Sequence, residues 1–303
     1  MKKYFNNPLV LPVLVLFLSA VLGGLPPVAI KIALRELPSP MIMFLRVCIM
    51  MPIFFLLSYK HLGHIRTHWR SIFPISLGWA GNMILFSLGI PHTTAAVSQV
   101  FYTGVPVIVV LLSPLLLREI PTKYQVMGIA IGLVGTCVTV LGGGGNFSGG
   151  NVVGNTLVLL AVSSWALYVI ATRKYKTSVP ASVNLFFGSL IAWIYFALNV
   201  FNTSGGFEFP MLSTETVYAV LFLGLIGGVV MFFTHQWGAQ RSPAVISGST
   251  GYISVVSALV ASWVLLGERL EKHEWFGLIL LLVAVMLTTT IPLLVRHVRN
   301  RMV

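Results

Sequence analysis

The sequence predicts an all-α integral membrane protein of ten transmembrane helices, arranged as two inverted five-helix repeats. Three observations predict it: the density of apolar residues, apolar runs of bilayer-spanning length, and a charged motif that occurs twice. Of 303 residues, 57% are hydrophobic and only 9% are charged, against roughly 25% charged in a soluble domain. Mean hydropathy is +0.93. A helix needs about 20 residues to cross about 30 Å of hydrocarbon, and the apolar runs recur near that length.

The spans follow in order. The first, 9–33, comes after the basic start MKKYFNNP. That start resembles a secretory signal, but the apolar run is longer than a signal core and the first repeat needs it as its opening helix. Gly23, Gly24, Leu25, Pro26 and Pro27 interrupt this span. Two prolines remove backbone donors and force a kink, so Gly23, Gly24, Pro26 and Pro27 are hinge or gating candidates. ELPSP leads to the second span, 41–58, and the third and fourth follow at 72–90 and 93–116, the fourth carrying a further hinge candidate, Pro106. The fifth is 124–142. The glycine-rich LGGGGNFSGGN then leads to the sixth and seventh, 153–172 and 180–201. After the longest break, NTSGGFEFPMLSTET, come the eighth, ninth and tenth at 216–237, 243–266 and 275–295. Gly224, Gly227, Gly228, Gly248 and Gly251 mark close packing in the eighth and ninth.

Charge sets the orientation. Of the 19 Lys and Arg residues, only Arg35, Arg269 and Lys272 fall in segments assigned outside, and Lys31 and Arg46 lie within spans. The rest lie in the other segments or at the termini, which places both termini in the cytoplasm of a bacterial inner membrane. The net charge of +12 is spread in short clusters between apolar runs and forms no continuous basic face, so no nucleic-acid partner is expected. Cys48 and Cys137 lie inside apolar runs, with neither disulfide nor metal spacing. No metal site and no cofactor are predicted. The expected partners are a small-molecule solute and the lipid bilayer, with the chain a monomer or weak homodimer.

LLLREIPTKYQVMG (115–128) aligns with VLLGERLEKHEWFG (264–277) at a constant offset of 149, pairing Glu119 with Glu268, Lys123 with Lys272 and Gly128 with Gly277. The same offset pairs Ala95 with Ala244 and Ser98 with Ser247, while Lys31 pairs with Arg173 at an offset of 142. The repeats are therefore 1–145 and 150–303. Each holds five spans, an odd number, so the second copy enters the bilayer inverted. Inverted repeats are a construction principle of secondary transporters.

VAIKIALRELPSPMIMFLR (28–46) and the two aligned segments resemble the EamA family of the drug/metabolite transporter superfamily, over about residues 10–293. The first repeat departs from the family motif, with Arg118-Glu119-Ile120 in place of Gly-Glu-Arg. Gly23-Gly24 replaces a Trp-Gly pair, although Trp165-Ala166 keeps the aromatic in the sixth span. Val255 stands where a proline is frequent, and the counterpart Pro106 is present. The resemblance implies ten helices around a central cavity and ATP-independent movement of small metabolites, amino acids included.

The chain contains no aspartate, and its seven acidic residues are glutamates placed in connectors or at span ends. Ion-coupled carriers usually hold an intramembrane carboxylate, so uniport or exchange is expected over carboxylate-based proton coupling. Lys31 and Arg46 either attract a substrate carboxylate or snorkel outward and pair with Glu36. Asn82, Gln99, Tyr102, Thr103, Ser163, Trp165, Tyr168, Tyr252 and Ser254 are polar or aromatic groups near mid-span, and are the cavity candidates. Helix packing explains each singly, whereas together they suit stacking and a few hydrogen bonds to an organic solute. His235 is read as an interfacial histidine in the last turn of the eighth span. The reading is a non-enzymatic metabolite exporter with a solvent-filled pocket lined by spans one, three, four, six, eight and nine. The alternative is a lipid-linked sugar or lipophilic-drug flippase of the same fold. An intramembrane protease is the remote alternative, since GSTG (248–251) has no histidine at membrane depth.

Overall fold

The computed structural model describes residues 9–93, 95–141, 151–175, 179–203, 211–266 and 271–292. Glu268 and Arg269 of the second motif, and most of the glycine-rich connector, lie outside them. The described chain is helical: α1 (Val10–Gly23), α2 (Pro26–Ala33), α3 (Ser39–Ser58), α4 (Ile65–Gly89), α5 (Ala95–Tyr102), α6 (Val105–Leu117), α7 (Lys123–Leu141), α8 (Val152–Lys174), α9 (Ala181–Thr203), α10 (Thr214–Gly224), α11 (Met231–Arg241), α12 (Ala244–Gly248), α13 (Thr250–Leu266) and α14 (Lys272–Val285). Among the described residues nine stretches are long and apolar enough to cross a membrane. The tenth expected span is α7, which packs along α14.

The helix breaks have local causes. Pro26 and Pro27 have no N–H to give the carbonyls one turn back, so α1 ends at Gly23 and the Leu25 N–H turns to Leu22 O at 3.3 Å. Span four breaks at Thr103-Gly104, and Pro106 sits in the first turn of α6, where no intrahelical donor is needed. Span nine breaks at Ser249 between α12 and α13, without a proline. There Ser249 Oγ donates to Val245 O at 2.8 Å and Thr250 Oγ1 to Ser247 O at 2.7 Å. Span eight stays continuous from α10 to α11 through a π turn, Leu225–Val230.

Packing follows the inverted repeat. The main neighbours are α4 with α8 and α9, α7 with α14, α3 with α9, α1 with α11 and α13, α2 with α10, and α6 with α8. Numbered as spans, three meets six as eight meets one, and four meets six as nine meets one. Spans two and seven pair with each other, as do five and ten. Every one of these contacts crosses between repeats, so each half buries its apolar faces against the other.

The duplicated motif makes this packing twice. A Cβ on Gly128 would lie 2.9 Å from Ala284 O, and one on Gly277 would lie 2.7 Å from Gly135 O. Ala284 and Gly135 are themselves 149 apart, so the two glycines do one job on either side of a pseudo-two-fold axis. Both helices that follow the motif start with reciprocal caps. Thr122 N–H donates to Gln125 Oε1 at 2.9 Å while Gln125 N–H reaches Thr122 Oγ1 at 3.3 Å. At positions 149 further on, Glu271 and Glu274 form the same capping box. Two of the charges that mark the second motif therefore serve the start of α14.

Candidate functional site at the aromatic centre

The middle of α4 and α8 and the first half of α11 bring together Trp79, Trp165, Tyr168, Phe232 and His235. Trp79 meets Phe232 edge-on with centroids 4.9 Å apart, and Trp165 lies 4.8 Å from Tyr168 and 5.1 Å from His235. The His235 ring stacks on Tyr168 at 5.9 Å. Tyr168 Oη donates to Gln236 Oε1 at 3.5 Å. These positions share a face because Trp165 and Tyr168, like Phe232 and His235, are three residues apart on one helix.

Arg46 enters from α3. Its Nη2 donates to Gly227 O at 2.7 Å, and its guanidinium lies 5.4 Å from the Phe232 ring. The π turn shifts the backbone hydrogen-bond register around Gly227, where its carbonyl accepts this donor from another helix. Arg46 Nε, Trp79 Nε1, Gln236 Nε2 and both ring nitrogens of His235 are buried without a hydrogen-bond partner. Buried polar atoms of this kind are costly unless a ligand or water completes them.

One turn along α4, Asn82 Nδ2 donates to Tyr102 Oη at 2.6 Å and to Ala161 O at 2.9 Å, joining α4, α5 and α8. The Tyr102 ring rests edge-on against Phe86 at 5.5 Å. This pair extends the aromatic centre along α4 toward that helix's C-terminal end.

Several expectations change. Arg46 is buried at 7% exposure and neither snorkels nor meets Glu36; Glu36 instead accepts the Ser213 N–H at 2.9 Å. The reason is that the π-turn carbonyl meets the guanidinium inside the bundle. Lys31, in α2, is exposed. His235 is no interfacial histidine, because α11 continues beyond it and is covered by α1 at Gly238, where a Cβ would meet Leu16 Cγ at 2.7 Å. The adjacent Gly238-Ala239 pair was the sequence signal for that cover. Among the described residues, the side chains around His235 are closely packed rather than solvent-lined. Tyr168, Gln236 and His235 are 0%, 0% and 3% exposed, because the rings stack shut over one another.

Other candidates lie apart from this centre. Tyr252 is packed against Gly132 of α7, and its hydroxyl donates to Ile129 O at 3.2 Å. Ser254 Oγ donates to Ala20 O at 2.9 Å, and Ser257 Oγ to Val21 O at 2.7 Å, supporting the α1 break. Gly24 lets the two backbones meet there, since a Cβ would lie 2.7 Å from Ala258 N. Gly23 faces Ser254 Oγ, and Pro26 lies against Gly227 of the π turn. Ser163 Oγ returns to Leu159 O in its own helix, and Thr103 Oγ1 to Val100 O at the α5–α6 break. The side chains of Gln99 and Pro27 lie outside the described residues. Sequence reading missed Trp79, Phe232 and Gln236, which look like ordinary core residues until three helices converge on them.

The EamA-like transporter family model matches residues 10–141 and 152–290. The chain belongs to the EamA-like transporter family. It is a multi-pass membrane protein and, as a member of this family, a transporter of small solutes. It is 28% identical over 288 residues to the uncharacterized inner membrane transporter YedA of Escherichia coli K12, covering 90% of this chain and 89% of YedA. It is 26% identical over 215 residues to the uncharacterized transporter YetK of Bacillus subtilis, a match spanning 69% of this chain and 65% of YetK. An uncharacterized transporter of Acidianus ambivalens is 31% identical over 184 residues, 60% of this chain and 68% of that one. A crystal structure at 18% identity has the same fold, with a TM-score of 0.79 over 92% of this chain and 96% of the other.

Proposed function

We propose that this EamA-like protein is an ATP-independent carrier that exports amino acids or related metabolites by alternating access, as a uniporter or exchanger. The observation that carries the proposal is the aromatic centre, where Arg46 Nε, Gln236 Nε2 and the ring nitrogens of His235 lie buried without a hydrogen-bond partner beside stacking rings. Rings offer a solute its stacking surface and the nitrogens offer a few directional contacts. The closed packing is an occluded state of a site that opens when the repeats move. Packing equivalent under the inverted repeat supports alternating access, since exchanging the two halves' conformations would open the other end.

Among the described residues, Glu36, Glu119, Glu215, Glu271 and Glu274 all lie in connectors or first turns. This supports transport without a carboxylate proton relay. The carrier sits in the inner membrane with both termini cytoplasmic, built from repeats 1–145 and 150–303. The test is uptake by proteoliposomes of labelled amino acids, nucleosides and cationic drugs, with and without a pH gradient. Saturable amino-acid flux indifferent to the gradient is expected. Strong gradient dependence would overturn the coupling reading, and flux confined to drugs or nucleosides would overturn the substrate class.

A further inference from the structure

A groove on the membrane-facing side of α4 and α8 shares no lining residue with the aromatic centre. Its cavity, ≈ 340 Å³, is lined by Pro74 and Leu77 of α4, Leu116 of α6, and Leu167, Ala171 and Lys174 of α8. Leu77, Leu116 and Leu167 are 47%, 41% and 48% exposed, so its walls face the hydrocarbon. None of its lining residues is acidic.

The register of the two helices fixes where its charge lies. A Cβ on Gly78 would fall 3.1 Å from Tyr168 Cα, on Gly81 2.7 Å from Ser164 Oγ, and on Gly89 2.9 Å from Val158 Cγ2. Rising numbers on α4 therefore meet falling numbers on α8, and the run brings Lys174 beside the turn that joins Arg70 to Pro74. Arg70 and Pro74 are four apart and share a face. Two cations thus flank one end of an apolar trough. Among the described residues neither has a carboxylate partner: the Lys174 ammonium lies 5.8 Å from the Tyr175 ring, and the Arg70 guanidinium 5.6 Å from the Trp69 ring.

We infer that this groove seats one acyl chain of an anionic phospholipid, with its phosphate held between Lys174 and Arg70. The exposed leucines match the chain and the paired cations match the headgroup, at the helix ends where a lipid phosphate lies. The lipid is bound and does not pass through. Ser164 Oγ donates to Gly78 O at 3.1 Å, and the glycine contacts close the α4–α8 seam along its length.

Native mass spectrometry of the full-length protein, exchanged against equal phosphatidylglycerol and phosphatidylcholine of matched chains, tests this. The wild type retains one phosphatidylglycerol with a preference on the order of tenfold, and R70Q/K174Q lowers it to within about twofold. A second variant, Ala171→Leu, fills the trough and lowers retention of both lipids, which keeps the test decisive if the charge variant does not fold. Equal wild-type retention of the two lipids, or an undiminished preference in R70Q/K174Q, would overturn the inference. So would a thermal shift with millimolar inorganic phosphate equal to that with the lipid, which would assign a free-anion site. Movement of labelled phosphatidylglycerol across vesicles only when the protein is present would also overturn it, making the groove a transport path.

Discussion

Arg173 donates from Nε to Glu119 Oε1 at 2.6 Å, with the two side chains only 17% and 26% exposed. The other oxygen of Glu119 accepts the Ala244 N–H at 3.0 Å. One carboxylate thus ties the connector after α6 to the end of α8 and the start of α12, joining the two repeats at one end of the bundle. Arg118, at φ 57 in the left-handed region, turns the chain so that Glu119 can reach both partners. A double-mutant cycle with Glu119→Gln and Arg173→Gln is expected to show a coupling of about 1–3 kcal/mol, the range for partly buried charge-assisted hydrogen bonds. Thermal unfolding in a fixed detergent measures it, and coupling within experimental error of zero would mean the tie holds nothing.

Arg46 separates function from stability. Replacing it with Met removes a buried cation and the bond to Gly227, but fills similar volume with apolar atoms. Such exchanges are often neutral or stabilising. We expect Arg46→Met to keep its unfolding free energy within about 2 kcal/mol of wild type while solute flux in proteoliposomes falls at least tenfold. A variant that transports normally would remove Arg46 from the site.

Tyr252 and Gly132 test the scaffold outside the site. Tyr252→Phe loses the bond to Ile129 O and should cost about 1 kcal/mol. Gly132→Ala drives a methyl into the Tyr252 ring, where a Cβ would lie 2.7 Å from Cε1, and should cost about 1–3 kcal/mol. Neither should change the KM for solute in an uptake assay. A selective KM change would place Tyr252 in the transport path.

Glu36 predicts a pH effect. Hydrogen bonds from the Ser213 side chain and N–H lower its pKa below the ordinary 4.5. A carboxylate depressed in the folded state stabilises the protein above its unfolded pKa, and that contribution is lost as pH falls through the folded value. The melting difference between wild type and Glu36→Gln should therefore be present at neutral pH and shrink below pH 4.5. The group is fully exposed, so the difference should be small and weaken with salt. A difference that grows on acidification would contradict the assignment.

Much of the fold was legible because membrane physics writes it into local sequence. Apolar runs of spanning length, the prolines at 26 and 27, and the match of Gly128 to Gly277 each act through backbone or bilayer and need no distant partner to be read. The site was legible only in part. Trp165, Tyr168 and Tyr102 stand out in sequence as aromatic residues near mid-span, and Asn82 as a buried amide that needs a partner. Tyr252 and Ser254 carry the same signal, yet their partners are the backbones of Ile129 and Ala20. Nothing in sequence distinguishes a hydroxyl that meets a neighbouring helix from one that meets a solute.

The sequence by itself determined that this chain is an inverted pair of helical repeats in a membrane, since hydropathy, odd span number and a repeated motif are properties of the chain alone. Only the tertiary structure decided the fate of Arg46 and His235. Their depth along a span says nothing of which face they occupy or what covers it. That depended on a π turn presenting the Gly227 carbonyl and on Gly238 letting α1 close over α11. Both are contacts between spans far apart in sequence, and their energies exist only once the two repeats are packed together.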